Sequence, residues 1–110
     1  MSERVSLNIC PRFNKAFKLL GKKWNGLIID VLMKSPMRFC ELTDNVEGIS
    51  DRLLIERLNE LAAENIVIRE IVQDGQHEVA IYRLTDKGEE LAPVFSELHD
   101  WASKWMEPEE

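Results

Sequence analysis

Apolar residues recur at helical spacing through the first half of the chain. Three segments place them three and four positions apart, on one face of a helix, at residues 13–20, 24–32 and 39–46. Pro11 suits the first turn of the first helix, and Gly21 suits its end. Ser50 is a favourable N-cap for a fourth helix over about residues 50–64, whose leucines fall on one face. The pattern therefore predicts four consecutive helices.

After the fourth helix the apolar spacing changes to that of β-strands. β-branched residues are concentrated over residues 66–72, and residues 79–84 alternate in the manner of a second strand. Asp74-Gly75 lies between the two segments and is a turn signal. We therefore expect a β-hairpin over about residues 66–84, with a loop over about residues 73–78.

The last part of the chain carries a long apolar stripe at helical spacing. Thr85 can cap this helical region, which we expect over about residues 89–106, and Pro93 can kink or restart it. The order of helices followed by a hairpin is that of a winged helix–turn–helix. The fourth helix is then the recognition helix, and the hairpin is the wing.

The predicted helices at about residues 11–20 and 89–106 are not needed by the winged unit itself. Their apolar stripes need a partner, and a two-fold homodimer is the simplest one. We expect a mainly α-helical domain over residues 10–106, preceded by a flexible arm at residues 1–9, with the terminal helices forming the dimer interface. The expected interface residues are Phe13, Phe17, Leu98, Trp101 and Trp105.

Composition fits one globular domain, and the distribution of charge bears on whether the protein can bind DNA. Apolar residues make up 45% of the 110 positions, and no run is long enough to span a membrane or to act as a signal peptide, so we expect a cytoplasmic protein. The net charge of −6 opposes binding to nucleic acid. Residues 1–60, however, carry ten basic against eight acidic side chains, whereas residues 61–110 carry four against twelve. The charge therefore restricts a DNA interface to part of the surface without excluding it.

Enzyme and cofactor sites find no support in the motifs. Cys10 and Cys40 are thirty positions apart and form neither a disulfide framework nor a zinc motif. His77 and His99 lack the spacing of paired metal ligands. A phosphate-binding loop, a GxSxG motif and an HExxH motif are all missing from the sequence. We expect a protein that is not an enzyme and needs no cofactor.

DNA contacts are expected first from the start of the recognition helix. Ser50 and Arg52 occupy the turn that would enter the major groove, and Ile55 can touch a thymine methyl. Arg57 either contacts DNA or braces the helix internally. Other candidates lie elsewhere in the chain: Lys22, Lys23, Lys34 and Arg38 could bind phosphates, and His77 at the wing tip could enter a minor groove. For each of these, ordinary surface charge is the alternative.

Cys10 is the candidate reactive group. It precedes Pro11 at a helix start, where the helix dipole favours an anion, and Arg12 and Lys15 are close in sequence. These features favour the thiolate, the nucleophilic form of cysteine. The alternative is a small buried hydrophobe, a common role for free cysteine. Cys40 is expected to pack in the core, or to act as the partner thiol of Cys10.

The aromatic side chains also allow two interpretations. They could line a pocket for an aromatic effector, or they could pack in the core and the dimer interface, which their spacing favours. The residues concerned are Phe13, Phe17, Trp24, Trp101 and Trp105.

Short motifs spread over residues 10–105 resemble the HxlR family, a branch of the MarR-type winged-helix transcription regulators. They are Cys10-Pro11, Leu19-Leu20-Gly21-Lys22-Lys23-Trp24, Arg38-Phe39 with Glu41-Leu42, Ile49-Ser50 with Leu54, Arg57-Leu58 with Glu60-Leu61, and Tyr82 with Leu84-Thr85-Asp86-Lys87-Gly88. The family resemblance implies homodimers that bind inverted-repeat operators in double-stranded DNA. Cys10-Pro11 and the run at residues 24–29 are most similar to the YodB-like thiol sensors of quinones, other electrophiles and oxidants.

Two departures from the family pattern limit what the resemblance implies. The wing lacks the family's Pro-Pro-Arg/Lys segment, so wing contacts are not carried over. A C-terminal cysteine that pairs across the dimer in some thiol sensors is missing too. We expect a repressor that releases DNA when Cys10 is modified. The alternatives are a regulator that binds a small aromatic effector non-covalently and a winged-helix interaction module without DNA affinity.

Overall fold

In the computed structural model, which describes residues 10–108, helices and a hairpin follow one another in the predicted order. The elements are α1 (Pro11–Leu20), α2 (Asn25–Lys34), α3 (Phe39–Asn45), α4 (Asp51–Ala63), β1 (Val67–Asp74), β2 (His77–Leu84), α5 (Asp86–Glu89) and α6 (Ala92–Trp105). The predicted winged helix–turn–helix is therefore confirmed. The arm expected at residues 1–9 lies outside the described residues.

The core lies where α2, α3 and α4 meet the open end of the hairpin. Each helix contributes one apolar face, which keeps the spacing read in the sequence. The buried apolar residues are Ile28, Ile29, Leu32, Leu42, Val46, Ile49, Leu54, Leu58, Leu61, Ile66, Val67, Leu84 and Phe95. Trp24, predicted within the second helix, instead precedes α2 with a φ of 82° and packs against this core.

The wing has the expected extent, but its strands are longer and its loop shorter than expected. β1 and β2 pair in antiparallel register from Val67 opposite Leu84 to Asp74 opposite His77. Only Gly75 and Gln76 remain in the turn, and Gly75 has the positive φ of 69° that such a turn requires. The predicted loop at residues 73–78 is therefore wrong, because the ladder continues through its polar ends.

A short bridge, not foreseen from the sequence, joins the wing to the segment before α3. The N–H of Met37 donates to the carbonyl of Tyr82 at 2.9 Å, and the N–H of Tyr82 donates back to Met37 at 2.7 Å. A single pair of hydrogen bonds leaves no periodic pattern in the sequence. The bridge fixes the base of the wing against the helical core.

The predicted last helix is divided into two. The hydroxyl of Thr85 accepts a hydrogen bond from the N–H of Gly88 at 3.1 Å and caps the short α5. Pro93 occupies the first turn of α6, where proline is tolerated, so it restarts the helix rather than kinking it. The helix therefore begins at Ala92 and not near residue 89.

The two terminal helices leave most of their apolar surface exposed. α1 buries no residue, and Phe95 is the buried residue of α6. The described chain is elongated, with extents of 72 × 33 × 27 Å. Large exposed apolar side chains on these helices and on α2 are Phe13, Phe17, Leu27, Val94, Leu98, Trp101 and Trp105. Within residues 10–108, no helix is both long and apolar enough to cross a membrane.

Candidate DNA interface and thiol site

The recognition helix α4 presents its N-terminal turn to solvent. The hydroxyl of Ser50 accepts a hydrogen bond from the N–H of Leu53 at 3.1 Å, which satisfies one of the free donors of the first turn. Packing of the leucines at 54, 58 and 61 against the core fixes the rotation of the helix. Arg52 and Ile55 are consequently exposed on the opposite face, Ile55 to 49%.

The charge on this face is mixed. Asp51 and Glu56 are exposed beside Arg52. Within residues 10–108, Arg52 makes no ion pair, so its guanidinium is available to a base edge or a phosphate. A face with one free arginine and flanking carboxylates favours discrimination between sequences over general attraction to DNA.

Arg57 is held inside a network, which supports the alternative that it braces the helix internally. Its side chain is 12% exposed, its Nε donates to the carbonyl of Lys23 at 3.1 Å, and its Nη1 donates to Glu60 at 3.2 Å. The ammonium of Lys22 pairs with the other oxygen of Glu60. We call these four residues the loop–helix clamp, because they join the loop after α1 to α4.

The clamp also involves two of the three lysines that were expected to bind phosphates. Lys22 is occupied by Glu60, and the hydrogen bond from Lys22 is the main cause that lowers the pKa of the Glu60 carboxyl. Lys23 contributes its carbonyl to the clamp, while its ammonium lies 5.1 Å from the centre of the Trp24 ring. Lys23 is exposed and remains within reach of a phosphate.

Arg38 lies at the wing rather than beside the recognition helix. Its guanidinium pairs with the carboxylate of Asp74, and its N–H donates to the Glu41 side chain at 2.8 Å to cap α3. His77 is exposed and stands opposite Asp74 in the ladder. The wing tip is therefore a mixed-charge cluster, with an arginine that a carboxylate already neutralises.

Both cysteines are exposed free thiols, which corrects the expectation that Cys40 packs in the core. Cys10 is the N-cap residue of α1, and its carbonyl accepts a hydrogen bond from the N–H of Asn14 at 3.0 Å. Cys40 lies in the first turn of α3, where its carbonyl accepts the Thr43 hydroxyl at 2.7 Å. In the single chain, Cys10 is not the buried hydrophobe that was the alternative.

The aromatic residues do not converge on one pocket. The rings of Phe13 and Phe17 stack on α1 with centroids 5.9 Å apart, whereas Trp101 and Trp105 lie exposed on α6. A groove of about 310 Å³ lies elsewhere. Its lining residues are Arg12, Lys15, Ala16, Leu19, Leu20, Glu64, Ile66, Lys87 and Leu91, and none of the five aromatics that were considered for an effector pocket is among them.

Two acidic residues that shape the site were missed from the sequence. Glu60 lies three positions after Arg57, a spacing that brings opposite charges together on a helix and was a usable signal. Asp74 is thirty-six positions from Arg38, and only the tertiary structure brings the two side chains together. In the described part of the chain, no cluster of histidine, cysteine and carboxylate side chains could hold a metal ion.

Comparison with known proteins gives consistent matches over most of the chain. The model of the family described as HxlR-like helix-turn-helix matches residues 19–110. The HTH-type transcriptional regulator YodB of Bacillus subtilis strain 168 is 48% identical over 100 residues, which are 91% of this chain and 88% of that protein.

Solved structures agree with this sequence match. The reduced form of B. subtilis YodB superposes with a TM-score of 0.79 at 46% identity, over 94% of this chain and 100% of that one. Its quinone-bound form gives a TM-score of 0.75 at 47% identity, over 88% and 100%. The reduced form of the redox regulator HypR gives a TM-score of 0.75 at 27% identity, over 84% and 91%.

Proposed function

Because the chain belongs to the HxlR-like helix-turn-helix family, and is therefore a DNA-binding transcription regulator and not an enzyme, we propose that it is a repressor controlled by Cys10. Modification of this thiol by a quinone, another electrophile or an oxidant releases operator DNA. The observation that carries the proposal is the exposure of Cys10 at the N-cap of α1, in a chain similar to a protein solved with bound quinone. The relatives named above include bacterial regulators, so the proposed site of action is the cytoplasm.

The proposed DNA contact is the exposed N-terminal turn of α4 in the major groove. Ser50 and Arg52 face base edges or phosphate, and Ile55 supplies an apolar contact. Lys23 supports the helix by binding phosphate. Arg38 contributes only if the DNA displaces Asp74, with which it is paired, whereas His77 is exposed at the wing tip. An interaction module without DNA affinity is not retained, because the relatives are named as regulators of the HTH type.

The proposed assembly is a homodimer formed through α1 and α6. The side chains that support it are more than half exposed in the single chain, and burying them is the main available gain in apolar contact. They are Phe13, Phe17, Leu98, Trp101 and Trp105. A two-fold axis would place two copies of α4 about 34 Å apart, one DNA turn, which fits an inverted-repeat operator.

The proposed chemistry is conjugate addition of the Cys10 thiolate to the quinone. Sulfur forms a bond to a ring carbon, and the electron pair of the ring C=C bond moves to the conjugated carbonyl oxygen, which takes up a proton from solvent. The substituted ring carbon then loses its hydrogen as a proton, the second carbonyl oxygen takes one up, and the aromatic product is a hydroquinone thioether. The adduct adds a bulky ring at the start of a helix expected to lie in the dimer interface. Such a local event changes DNA binding if it shifts the two recognition helices relative to each other.

The test is release of DNA with and without the thiol. A duplex selected by the protein from a random-sequence pool is bound in a gel-shift assay, and para-benzoquinone is then titrated. We expect release from the wild type and from Cys40→Ser, but retention by Cys10→Ser, which keeps the size of the side chain. Equal release from Cys10→Ser and the wild type would refute control through Cys10.

A non-covalent effector is the second candidate function, and the groove beside α1 favours it. Five of its lining residues are apolar, three are the basic residues Arg12, Lys15 and Lys87, and one is the acidic Glu64. An amphipathic anion such as an aromatic carboxylate fits this lining. This candidate predicts that DNA release by such a compound is reversed on dialysis and survives the double substitution of Cys10 and Cys40 by serine.

A further inference from the structure

The recognition helix is attached to the end of α1 by side chains as well as by the core. In the loop–helix clamp, Arg57 donates to the carbonyl of Lys23 and to Glu60, and Lys22 pairs with the same carboxylate. Both lysines belong to the loop that directly follows α1. The clamp thus joins residues that are thirty-four positions apart in sequence. It connects α1, which follows the proposed sensor Cys10, with α4, the helix proposed to contact DNA.

The clamp is held at its centre by a shielded arginine. Arg57 is 12% exposed, compared with 60% for its neighbour Glu56. Charge-assisted hydrogen bonds that are shielded from water are stronger than exposed ones, and removal of one partner leaves the others unsatisfied. The peptide at Lys23 and the middle of α4 are therefore expected to move together.

Helix α1 connects this clamp to Cys10. It has ten residues, a rigid length of about 15 Å, with Cys10 at its N-cap and Gly21 at its C-cap. Asn25, which is fully buried, donates from Nδ2 to the carbonyl of Leu19 at 2.9 Å and fixes the last turn of α1 to the start of α2. Leu19 and Leu20 in the last turn of α1 pack against the core, whereas residues 11–18 are exposed, so a displacement at the start of α1 meets little resistance from the core of the same chain.

We propose that Arg57 is a positioning residue that couples α1 to α4, so that a displacement of α1 caused by modification of Cys10 reaches the recognition helix through the loop–helix clamp. The proposal rests on the proposed function for the modification of Cys10, but not for the contacts that join α1 to α4. The modified thiol shifts α1, α1 carries the Lys22-Lys23 segment, and Arg57 transmits the shift to α4. The coupling requires that this contact have two discrete arrangements, one for each state of Cys10.

The experiment measures α4 directly, without DNA. In a Cys40→Ser background, N-ethylmaleimide modifies Cys10: the thiolate adds to the alkene and the neighbouring ring carbon takes up a proton. Amide hydrogen exchange over residues 51–63 is compared before and after. We expect the exchange rates to change by about fivefold or more, the lower range of coupling between sites. Arg57→Gln should abolish the change.

Arg83→Gln is the matched control, because Arg83 is also ion-paired, with Glu70, but lies on the wing. It should keep the full exchange response. Arg57→Lys, the variant expected to fold best, retains the charge near Glu60 but cannot form both hydrogen bonds, so a partial response is expected. Rescue of this kind would not follow from a purely structural role, which would alter the melting temperature without altering the response to modification.

The contrary outcomes are distinct. If modification of Cys10 leaves exchange in α4 unchanged in the background protein, the coupling is wrong. The same holds if Arg57→Gln and Arg57→Lys respond as fully as Arg83→Gln. If exchange in α4 responds through Arg57 but para-benzoquinone fails to release DNA, the coupling stands and the proposed repressor switch fails.

Discussion

The guanidinium of Arg38 at the start of α3 is paired with the carboxylate of Asp74 at the tip of the wing. Both side chains are substantially exposed, so water and salt screen the pair. A phosphate approaching the wing would compete with Asp74 for the same guanidinium. We therefore expect Asp74 to reduce any contribution of Arg38 to DNA affinity.

Substitution Asp74→Asn is expected to strengthen DNA binding. It releases Arg38 and removes a negative charge near the DNA. An exposed pair contributes at most about 1 kcal/mol, so the gain is expected to reach up to about fivefold in Kd. If Arg38 then binds a phosphate, the slope of log K against log salt becomes steeper by about 0.9. Fluorescence anisotropy over a range of salt concentrations measures both quantities.

Glu78→Gln is the control for this prediction. It removes one negative charge from the same hairpin, close to the turn and two positions before Ala80. Within residues 10–108, Glu78 forms no ion pair with Arg38. It should leave the salt slope unchanged. Equal slopes for the two variants would show that the wing acts through net charge alone and that Arg38 does not reach the DNA.

Introducing a carboxylate into the exposed stripe of α6 should disrupt the proposed dimer. Leu98 and Trp101 are 56% and 52% exposed in the single chain, and a charge buried in an interface without a partner costs several kcal/mol. We expect Leu98→Asp and Trp101→Asp to be monomeric at concentrations where the wild type is dimeric, as measured by sedimentation equilibrium. Ile71→Asp, a change at an equally exposed apolar residue of the wing, should remain dimeric.

Substitution of two glycines by alanine is expected to change the stability of the protein in opposite directions. A Cβ at Gly88 would lie 2.4 Å from the carbonyl oxygen of Ile66, so the backbone must shift, and a loss of roughly 1–3 kcal/mol is expected. A Cβ at Gly26, within α2, meets its nearest atom at 3.6 Å, and the helix propensity of alanine should stabilise the protein by about 0.5–1 kcal/mol. Urea unfolding at one fixed protein concentration tests both, and a stable Gly88→Ala variant would contradict the close packing.

The order of the helices and strands was predictable from the periodic spacing of apolar residues, because the core faces of α2, α3 and α4 follow helical spacing. Local signals were equally reliable, as the caps at Ser50 and Thr85 show. The failures concern contacts between distant segments. For Arg57 the sequence left DNA contact and internal bracing open, because the carbonyl of Lys23, thirty-four positions away, leaves no trace in its local pattern. The exposure of Cys40 depends on the rotation of α3 about its own axis. The apolar neighbour Phe39 does not determine that rotation.

The ion pair between Glu70 and Arg83 on the wing predicts how the stability of the protein depends on pH. Hydrogen bonding from Arg83 is the main cause that lowers the pKa of the Glu70 carboxyl below its usual value of 4.5. The folded state therefore binds the proton less readily than the unfolded state. The stabilisation is fully present above pH 4.5, the value for the unfolded chain, and is lost as the pH falls through the lower pKa of the folded protein.

Glu70→Gln should consequently be less stable than the wild type at neutral pH, and the difference should vanish in acid. Urea unfolding of both proteins, from neutral pH to well below 4.5, measures it. Arg83→Gln removes the other partner of the 2.8 Å pair and should show the same convergence. The double variant should lose little beyond either single variant, because the two substitutions remove one interaction. A constant difference across the whole pH range would instead assign the effect of Glu70 to packing of its side chain on the wing.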